Sequence, residues 1–444
     1  MQTITVPEER SPMSPDFRQF LNDYGADYQP HDALDFSELR RREYGRLDAQ
    51  GQVYLDYVGS SLHAEAQVRK HAELLNQLVL GNPHSNNPSS RAAASLEEAC
   101  RARVLEHFGA DPNEYEVVFT LNASHALKLV GESFPFRSGG RFLYTSDSHS
   151  SVVGIRRFAQ RARARVACCP VTVPDLRLDR ERVAMELGKG GSGSPRLFAL
   201  TGQSNTTGVR HPLELADLAH VLGWSVLLDA AALAPTWRLD LGQHPCDFVS
   251  VSFYKMFGYP TGVGALIARR SALARLERPW FAGGTVRLVS AFFERVQFMT
   301  DRTDGSHFQD GTLPYSALPA VTIGLDHLAE VRLDHIRRRI RTLTSWLLGQ
   351  LADLHHDNGA PLVRLYGPAT VEARGGTLAM NLLDRDGRWI PHQLVERTAA
   401  DAGISIRTGC FCNPGVAEQA LGYSKHSEHP PNKLGGAFLW MAPR

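Results

Sequence analysis

From about residue 90 to 270 the chain alternates helix-period stretches with short apolar runs, and no other feature constrains its fold as much. Helical periodicity covers Ala92–Phe108, Ser124–Ser133, Val152–Ala162 and Pro212–Leu222. Strand-like runs fall at Glu116–Thr120, Arg141–Thr145, Arg165–Cys169, Leu197–Leu200, Ser225–Leu228, Phe248–Ser252 and Ala265–Ala268. Strands separated by helices pair in parallel and are covered by those helices on both faces, so the pattern predicts an α/β fold with a mostly parallel sheet. In such open sheets ligands bind beyond the carboxyl ends of the strands. Residues that carry chemistry are therefore expected just after strands.

Around this core the sequence divides into three expected regions: an N-terminal arm and helix over 1–50, a large domain over 51–320, and a smaller α+β domain over 321–444. The arm holds a helix at Pro15–Tyr24, and Val53–Tyr57 reads as a short strand. Beyond Pro319 a long helical stretch, Ala320–Leu354, weakly interrupted, leads to strands at Gly376–Leu382 and Ile404–Thr408. Gly188–Pro195 reads as a surface loop without the spacing of a nucleotide P-loop.

Composition excludes several function classes. The 48 basic and 47 acidic residues nearly cancel, to a net charge of +1, so neither nucleic acid nor an anionic membrane is an expected partner. No apolar run approaches the ~18–20 residues that span a bilayer. The first ten residues lack the apolar centre of a signal peptide. Six cysteines in 444 residues make no disulfide framework, and the adjacent Cys168 and Cys169 suit a reducing cytoplasm.

The most telling segment is Ser250–Gly262, which sets Lys255 between a β-rich run and a glycine-marked turn. Upstream, Val226–Asp229 reads as a buried strand ending in a carboxylate. This pair suits pyridoxal phosphate (PLP): the lysine forms a Schiff base, and the carboxylate keeps the pyridine nitrogen protonated. Taken alone, the lysine also reads as a solvated loop residue and the aspartate as a helix cap. Three further post-strand segments bear on the choice. At Asn122–Ser124 a helix begins, and its backbone N–H groups with Ser124 suit a phosphate, although an ordinary N-cap reads the same way. His149 offers a flat ring to stack on a pyridine, or a surface histidine. Asn205 offers a donor to the cofactor's phenolic oxygen, or a turn asparagine. Ser252, three residues before the lysine, is a further phosphate ligand.

In order and wording these segments resemble the PLP fold-type-I, class V aminotransferase superfamily, and most of all the cysteine-desulfurase-like domain of molybdenum cofactor sulfurases. The similar stretches are Tyr54–Gly59, Gly81–Ser85, Ala126–Glu132, Ser148–Gly154, Ser252–Gly264, Phe308–Thr312 and Arg407–Gly415, spanning most of the chain. The resemblance implies a seven-stranded large domain and a smaller α+β domain. It implies Lys255 as the Schiff-base lysine, Asp229 on the pyridine nitrogen, His149 on the ring, and Ser124 and Ser252 on the phosphate. It implies a homodimer in which Gly284 and Thr285 reach the phosphate of the second subunit. Cys412 stands at the position of the persulfide-forming cysteine, carried on a mobile Gly/Pro-flanked loop. The implied reaction is a sulfur transfer from cysteine through a Cys412 persulfide to an acceptor protein or metabolite.

The chain also departs from that pattern. Fuller members carry a further C-terminal domain with no counterpart in this sequence, and Ala417 replaces an expected cysteine. By alignment, Phe438 or Leu439 stands where the substrate-carboxylate arginine belongs, leaving Arg407 or Arg444 as substitutes. A PLP-dependent lyase, transaminase or decarboxylase acting on another amino acid therefore stays open, as does a non-enzymatic scaffold. A metal site from Cys410, Cys412, His426 and His429 has the wrong spacing for a zinc knuckle, and no metal is expected.

Overall fold

In the computed structural model, residues 15–189, 193–298, 303–420 and 438–441 are described. Seven strands build the central sheet: β1 (Tyr115–Thr120), β2 (Arg141–Thr145), β3 (Arg165–Cys169), β4 (Arg196–Thr201), β5 (Ser225–Asp229), β6 (Phe248–Ser252) and β7 (Gly264–Arg269). Their order across the sheet is β1-β7-β6-β5-β4-β2-β3. Each is one of the seven apolar runs of the sequence, shifted at its ends by at most one residue. From β3 to β6 every neighbouring pair is parallel, while β7 runs antiparallel to both β6 and β1. The reversal follows from chain length. The link Phe253–Val263 is shorter than the dozen or more residues that a parallel crossover needs.

Helices cover both faces, as the near-continuous burial of the strands requires. Ala123–Ser133, Ser150–Gly154 and Arg156–Arg161 pack on one face with Phe142, Leu197, Leu227 and Leu266. Pro88–His107, Glu214–Val221 and Leu318–Val331 pack on the other with Leu143, Phe198, Val226 and Ile267. Successive residues such as Phe142 and Leu143 point to opposite faces, following the period of two along a strand.

A second, antiparallel sheet is built from β8 (Val363–Tyr366), β9 (Leu378–Leu382), β10 (Arg407–Gly409) and β11 (Phe438–Met441), in the order β8-β9-β11-β10. The long helical stretch of the sequence is two helices, Leu318–Val331 and Leu333–Ala352, broken at Arg332, whose φ is +68°. The expected strand at Val53–Tyr57 shortens to Val53–Tyr54, which pairs in parallel with Ile404–Ser405. That pairing splits the expected strand Ile404–Thr408 between two sheets and brings Asp56 beside Arg407.

Candidate active site

At the carboxyl edge of the central sheet the ends of β1, β4, β5 and β6 surround a cleft of about 600 Å³. It is lined by Ser124, His149, Asn205, Asp229, Ser252 and Lys255, together with Asn122, Thr201, Gln203 and Tyr254. Six residues singled out in the sequence thus converge on one space from five separate segments.

The helix Ala123–Ser133 starts at this edge. Asn122 caps it by accepting from His125 N at 3.0 Å, and Ser252 Oγ accepts from Ala123 N at 2.8 Å. Because Ser252 Oγ accepts there, its own hydroxyl proton is available to a ligand. Ser124 Oγ lies 2.7 Å from Ser151 Oγ. A side chain at Gly264 would strike the backbone of Asn122 and Val251, so only glycine lets β6, β7 and the helix start come this close. The result is an anion cradle at a helix N-terminus, where backbone donors and the helix dipole act together.

Asp229 ends β5, almost fully buried. Its Oδ1 accepts from Ala231 N at 3.1 Å and from Ser250 Oγ at 3.3 Å, while its Oδ2 accepts nothing among the described residues. Lys255 sits in the short helix Phe253–Phe257 after β6, closed by Gly258 at φ +82°. A side chain on Gly258 would strike the backbone of Leu62 and His63. Burial pulls the Lys255 amine below the ordinary lysine range; Asp229 opposes that shift and Arg407 adds to it. The neutral amine, which is the nucleophilic form, is thereby favoured.

His149 caps the helix after β2 with its Nδ1, which accepts from Ser151 N at 3.1 Å. A backbone N–H can only donate, so Nδ1 is unprotonated and Nε2 carries the hydrogen. Burial lowers the imidazole pKa further, so a neutral ring faces the cleft. Behind it Thr145, Ser148 and Thr201 form a buried hydroxyl triangle with edges of 2.9–3.1 Å that ties β2 to β4. His211 and Asp147, fully buried at 2.6 Å, brace the same turn. Neither group stood out in the sequence, because hydroxyls at strand ends are common and the residues meet only across the sheet.

The cysteine loop makes specific contacts at the sheet edge. Cys412 O accepts from Ser150 N at 2.6 Å and from Ser150 Oγ at 3.0 Å. Asn413 Nδ2 donates to Asp147 O at 2.8 Å and to Asn205 Oδ1 at 2.9 Å. Gly415 packs so closely on Ser146 O that a side chain there would overlap it. The Cys412 thiol stays exposed, with φ at +56°, and acts electrostatically on Lys255. Asn205 serves this loop as well: its Nδ2 donates to Phe411 O at 3.0 Å. Only its second amide hydrogen is left for the phenolic-oxygen role read from the sequence. Gln203, not singled out there, reaches the cleft with Nε2 on Ala232 O at 2.9 Å and a buried Oε1 that has no partner among the described residues.

Two expectations meet obstacles. Arg407 does not present a free fork for a substrate carboxylate: its Nε and Nη2 grip Asp56 at 2.8 and 2.7 Å. Gly284 and Thr285 lie outside their own chain's cleft, and Thr285 Oγ1 is buried with both Ala282 N and Ala282 O at 2.9 Å. Any reach toward a second subunit thus falls to their backbone. Arg444, His426 and His429 lie outside the described residues, and Phe438 and Leu439 are described only as backbone of β11. Among the described residues no group of acidic, histidine and cysteine side chains forms a metal cluster, and no helix is long and apolar enough to cross a membrane.

This fold and this set of post-strand residues define a PLP-type transferase architecture, and comparison with known proteins agrees. The profile of the class-V aminotransferase family matches residues 53–425, and the chain belongs to that family. It is 37% identical to a molybdenum cofactor sulfurase of Bos taurus over 408 residues, covering 87% of this chain and 46% of the relative. It is 35% identical to the molybdenum cofactor sulfurase of Arabidopsis thaliana over 460 residues, covering 95% of this chain and 55% of the relative. The chain thus spans about half the length of these relatives. Its fold matches the apo structure of a cysteine desulfurase from Thermococcus onnurineus NA1 with a TM-score of 0.73 at 23% identity, covering 92% of both chains.

Family and fold indicate PLP, and the cleft fits it. The helix-start cradle suits a phosphate, Asp229 has a free oxygen for a ring nitrogen, and burial lowers the pKa of the Lys255 amine. When bound, PLP would supply an electron sink for bonds broken at the substrate's carbons.

Proposed function

We propose that this chain is a PLP-dependent, cysteine-desulfurase-like sulfurtransferase that passes sulfur from cysteine to Cys412 and then to an acceptor. The observation that carries the reading is that Ser150, next to the cleft residue His149, holds the Cys412 backbone carbonyl, leaving an exposed thiol whose charge acts on Lys255. Ser124, Ser252 and the helix start hold phosphate, Asp229 holds the ring nitrogen, and His149 covers the ring. His149, neutral and carrying its hydrogen on Nε2, can donate that hydrogen as charge develops near it. The Cys412 thiolate attacks the sulfur of the substrate cysteine. The substrate's carbon–sulfur bond breaks, its electron pair would pass into the electron sink that bound PLP supplies, and alanine is left after protonation. The exposed persulfide can hand its outer sulfur to an acceptor.

A homodimer completes the proposal. Gly81–His84, Gly283–Thr285 and Gly311–Thr312 converge on one surface, with Asn82 Nδ2 on Thr312 Oγ1 at 3.0 Å and Gly311 N on Gly283 O at 2.9 Å. Nearby, the hairpin after Thr285 exposes Phe292 and Phe293 by 92% and 73%. Apolar side chains grouped in this way suit an interface.

The test is to incubate the PLP-loaded protein with L-cysteine and quantify alanine, sulfide and protein persulfide. Equimolar alanine and persulfide, lost in Cys412→Ser, supports the reading. The second reading, a PLP enzyme acting on another amino acid, rests on Arg407 being committed to Asp56, and turnover of other amino acids without any sulfur product would establish it.

A further inference from the structure

Beside the cleft lies a second pocket, open to solvent, walled by the exposed Arg337 and Arg341, the half-buried Arg210 and the buried Arg374, together with Thr236 and Ile340. Thr236 and Ile340 also wall a cavity that Lys255 and Gln203 line, so the basic pocket and the active-site region share a boundary. Arg374 is buried and satisfied, donating only to the backbone oxygens of Thr207, Pro368, Gly375 and Thr377. Its charge meets no carboxylate.

The other three arginines differ. Among the described residues their guanidinium groups donate no hydrogen bond and form no ion pair. Arg337 and Arg341 stand one turn apart on the helix Leu333–Ala352, where like charges at this spacing repel. Arg210 and Arg337 both stack on Trp237, with guanidinium carbons 3.7 and 3.9 Å from the ring centroid. The ring therefore holds two cations facing the same cavity without neutralising either. Burial, then Arg337 and Arg341, pull Arg210 down to about 10. Asp334 offsets part of the Arg337 charge, but among the described residues no carboxylate pairs with any of the four arginines, so the like charges destabilise one another and an anion placed there relieves the repulsion.

We propose that this pocket binds a small, multiply charged oxyanion of the phosphate class, carried by a molecule lodged beside the Lys255 cleft. Guanidinium forks suit phosphate oxygens, which accept paired N–H donors, and three unpaired forks suit a dianion better than a single carboxylate. The proposal does not depend on the role of Cys412 or on the identity of the sulfur acceptor.

The test uses the PLP-loaded full chain, so that the helix-start phosphate position is already filled. Inorganic phosphate and pyrophosphate are titrated calorimetrically at constant ionic strength, with acetate as the carboxylate control. Saturable binding of one phosphate per chain is expected, with pyrophosphate tighter and acetate without measurable heat. Arg341→Gln, on an exposed side chain that leaves the fold intact, and Arg210→Gln should each weaken binding by about tenfold or more. Arg388→Gln, an exposed arginine elsewhere, should leave it unchanged. Absence of saturable phosphate binding, equal binding of acetate, or an Arg341→Gln variant that binds like the parent would each overturn the proposal. If the protein takes up no PLP, the cofactor reading fails on its own spectrum, while the Arg341→Gln comparison still isolates the basic pocket.

Discussion

Asp56 and Arg407, 351 residues apart, form a two-point ion pair of 2.8 and 2.7 Å that joins the segment after the first short strand to the start of the cysteine loop. The pair is only partly buried, with 45% of the arginine side chain exposed, so its contribution to stability is about 1 kcal/mol or less. Its larger consequence is electrostatic, because Arg407 depresses the pKa of Lys255.

Neutralising Arg407 should therefore raise the Lys255 pKa. Uptake of PLP requires the neutral amine, so in Arg407→Gln the pH profile of the uptake rate should move to higher pH. Arg407→Lys, which keeps the charge, should stay near the parent. Stopped-flow absorbance measures the rate, and an unshifted glutamine variant would show that the charge does not reach the amine.

Lys255→Ala should abolish the visible absorbance of lysine-linked cofactor and all turnover, since no other amine lines the cleft. Its circular dichroism should match the parent. A variant that keeps the visible band would place the linkage elsewhere.

Cys412→Ser should abolish persulfide and sulfide formation while leaving the cofactor spectrum intact. The residue's backbone carbonyl, which holds the loop to Ser150, is unchanged by the substitution. Cys410→Ser should have the milder effect. Full sulfur transfer by Cys412→Ser would leave the reaction to the alternative amino-acid chemistry.

Phe292→Asp should convert a dimer to a monomer with weaker PLP retention, as judged by light scattering and by dialysis followed by absorbance. A parent protein that is already monomeric and fully active would remove the shared-site proposal.

Acid should destabilise the chain partly through His107, which burial, with Arg103 and Arg238 nearby, pulls down to about 4. The folded pKa lies below the unfolded value of about 6.5, so between these pH values the unfolded state binds more protons and stability falls as pH falls. The loss should be on the order of 2 kcal/mol by pH 4, read from denaturant melts at each pH. His107→Gln should flatten that dependence.

All seven strands of the central sheet were legible because each reads as a short run between helices; six are almost wholly buried, and only the edge strand Arg165–Cys169 is largely unburied. Even the reversal of β7 follows from the shortness of Phe253–Val263. Boundaries failed where two distant segments had to meet. Val53–Tyr57 and Ile404–Thr408 each read as one strand, but their mutual pairing spans the chain and cut both short.

The candidate site divides along the same line. Lys255, Asp229, His149 and Ser252 could be read directly, because in an α/β sheet local sequence says where a strand ends and therefore which residues face the ligand edge. What those residues do to one another depended on the tertiary structure: Asn205 is drawn to Phe411 and Asn413, Arg407 is taken by Asp56, and the cysteine loop is pinned to Ser150. The basic pocket of Arg210, Arg337, Arg341 and Arg374 was invisible for the same reason. Hydrogen bonds and charge repulsion act over a few ångströms in space, and sequence separation carries no record of them.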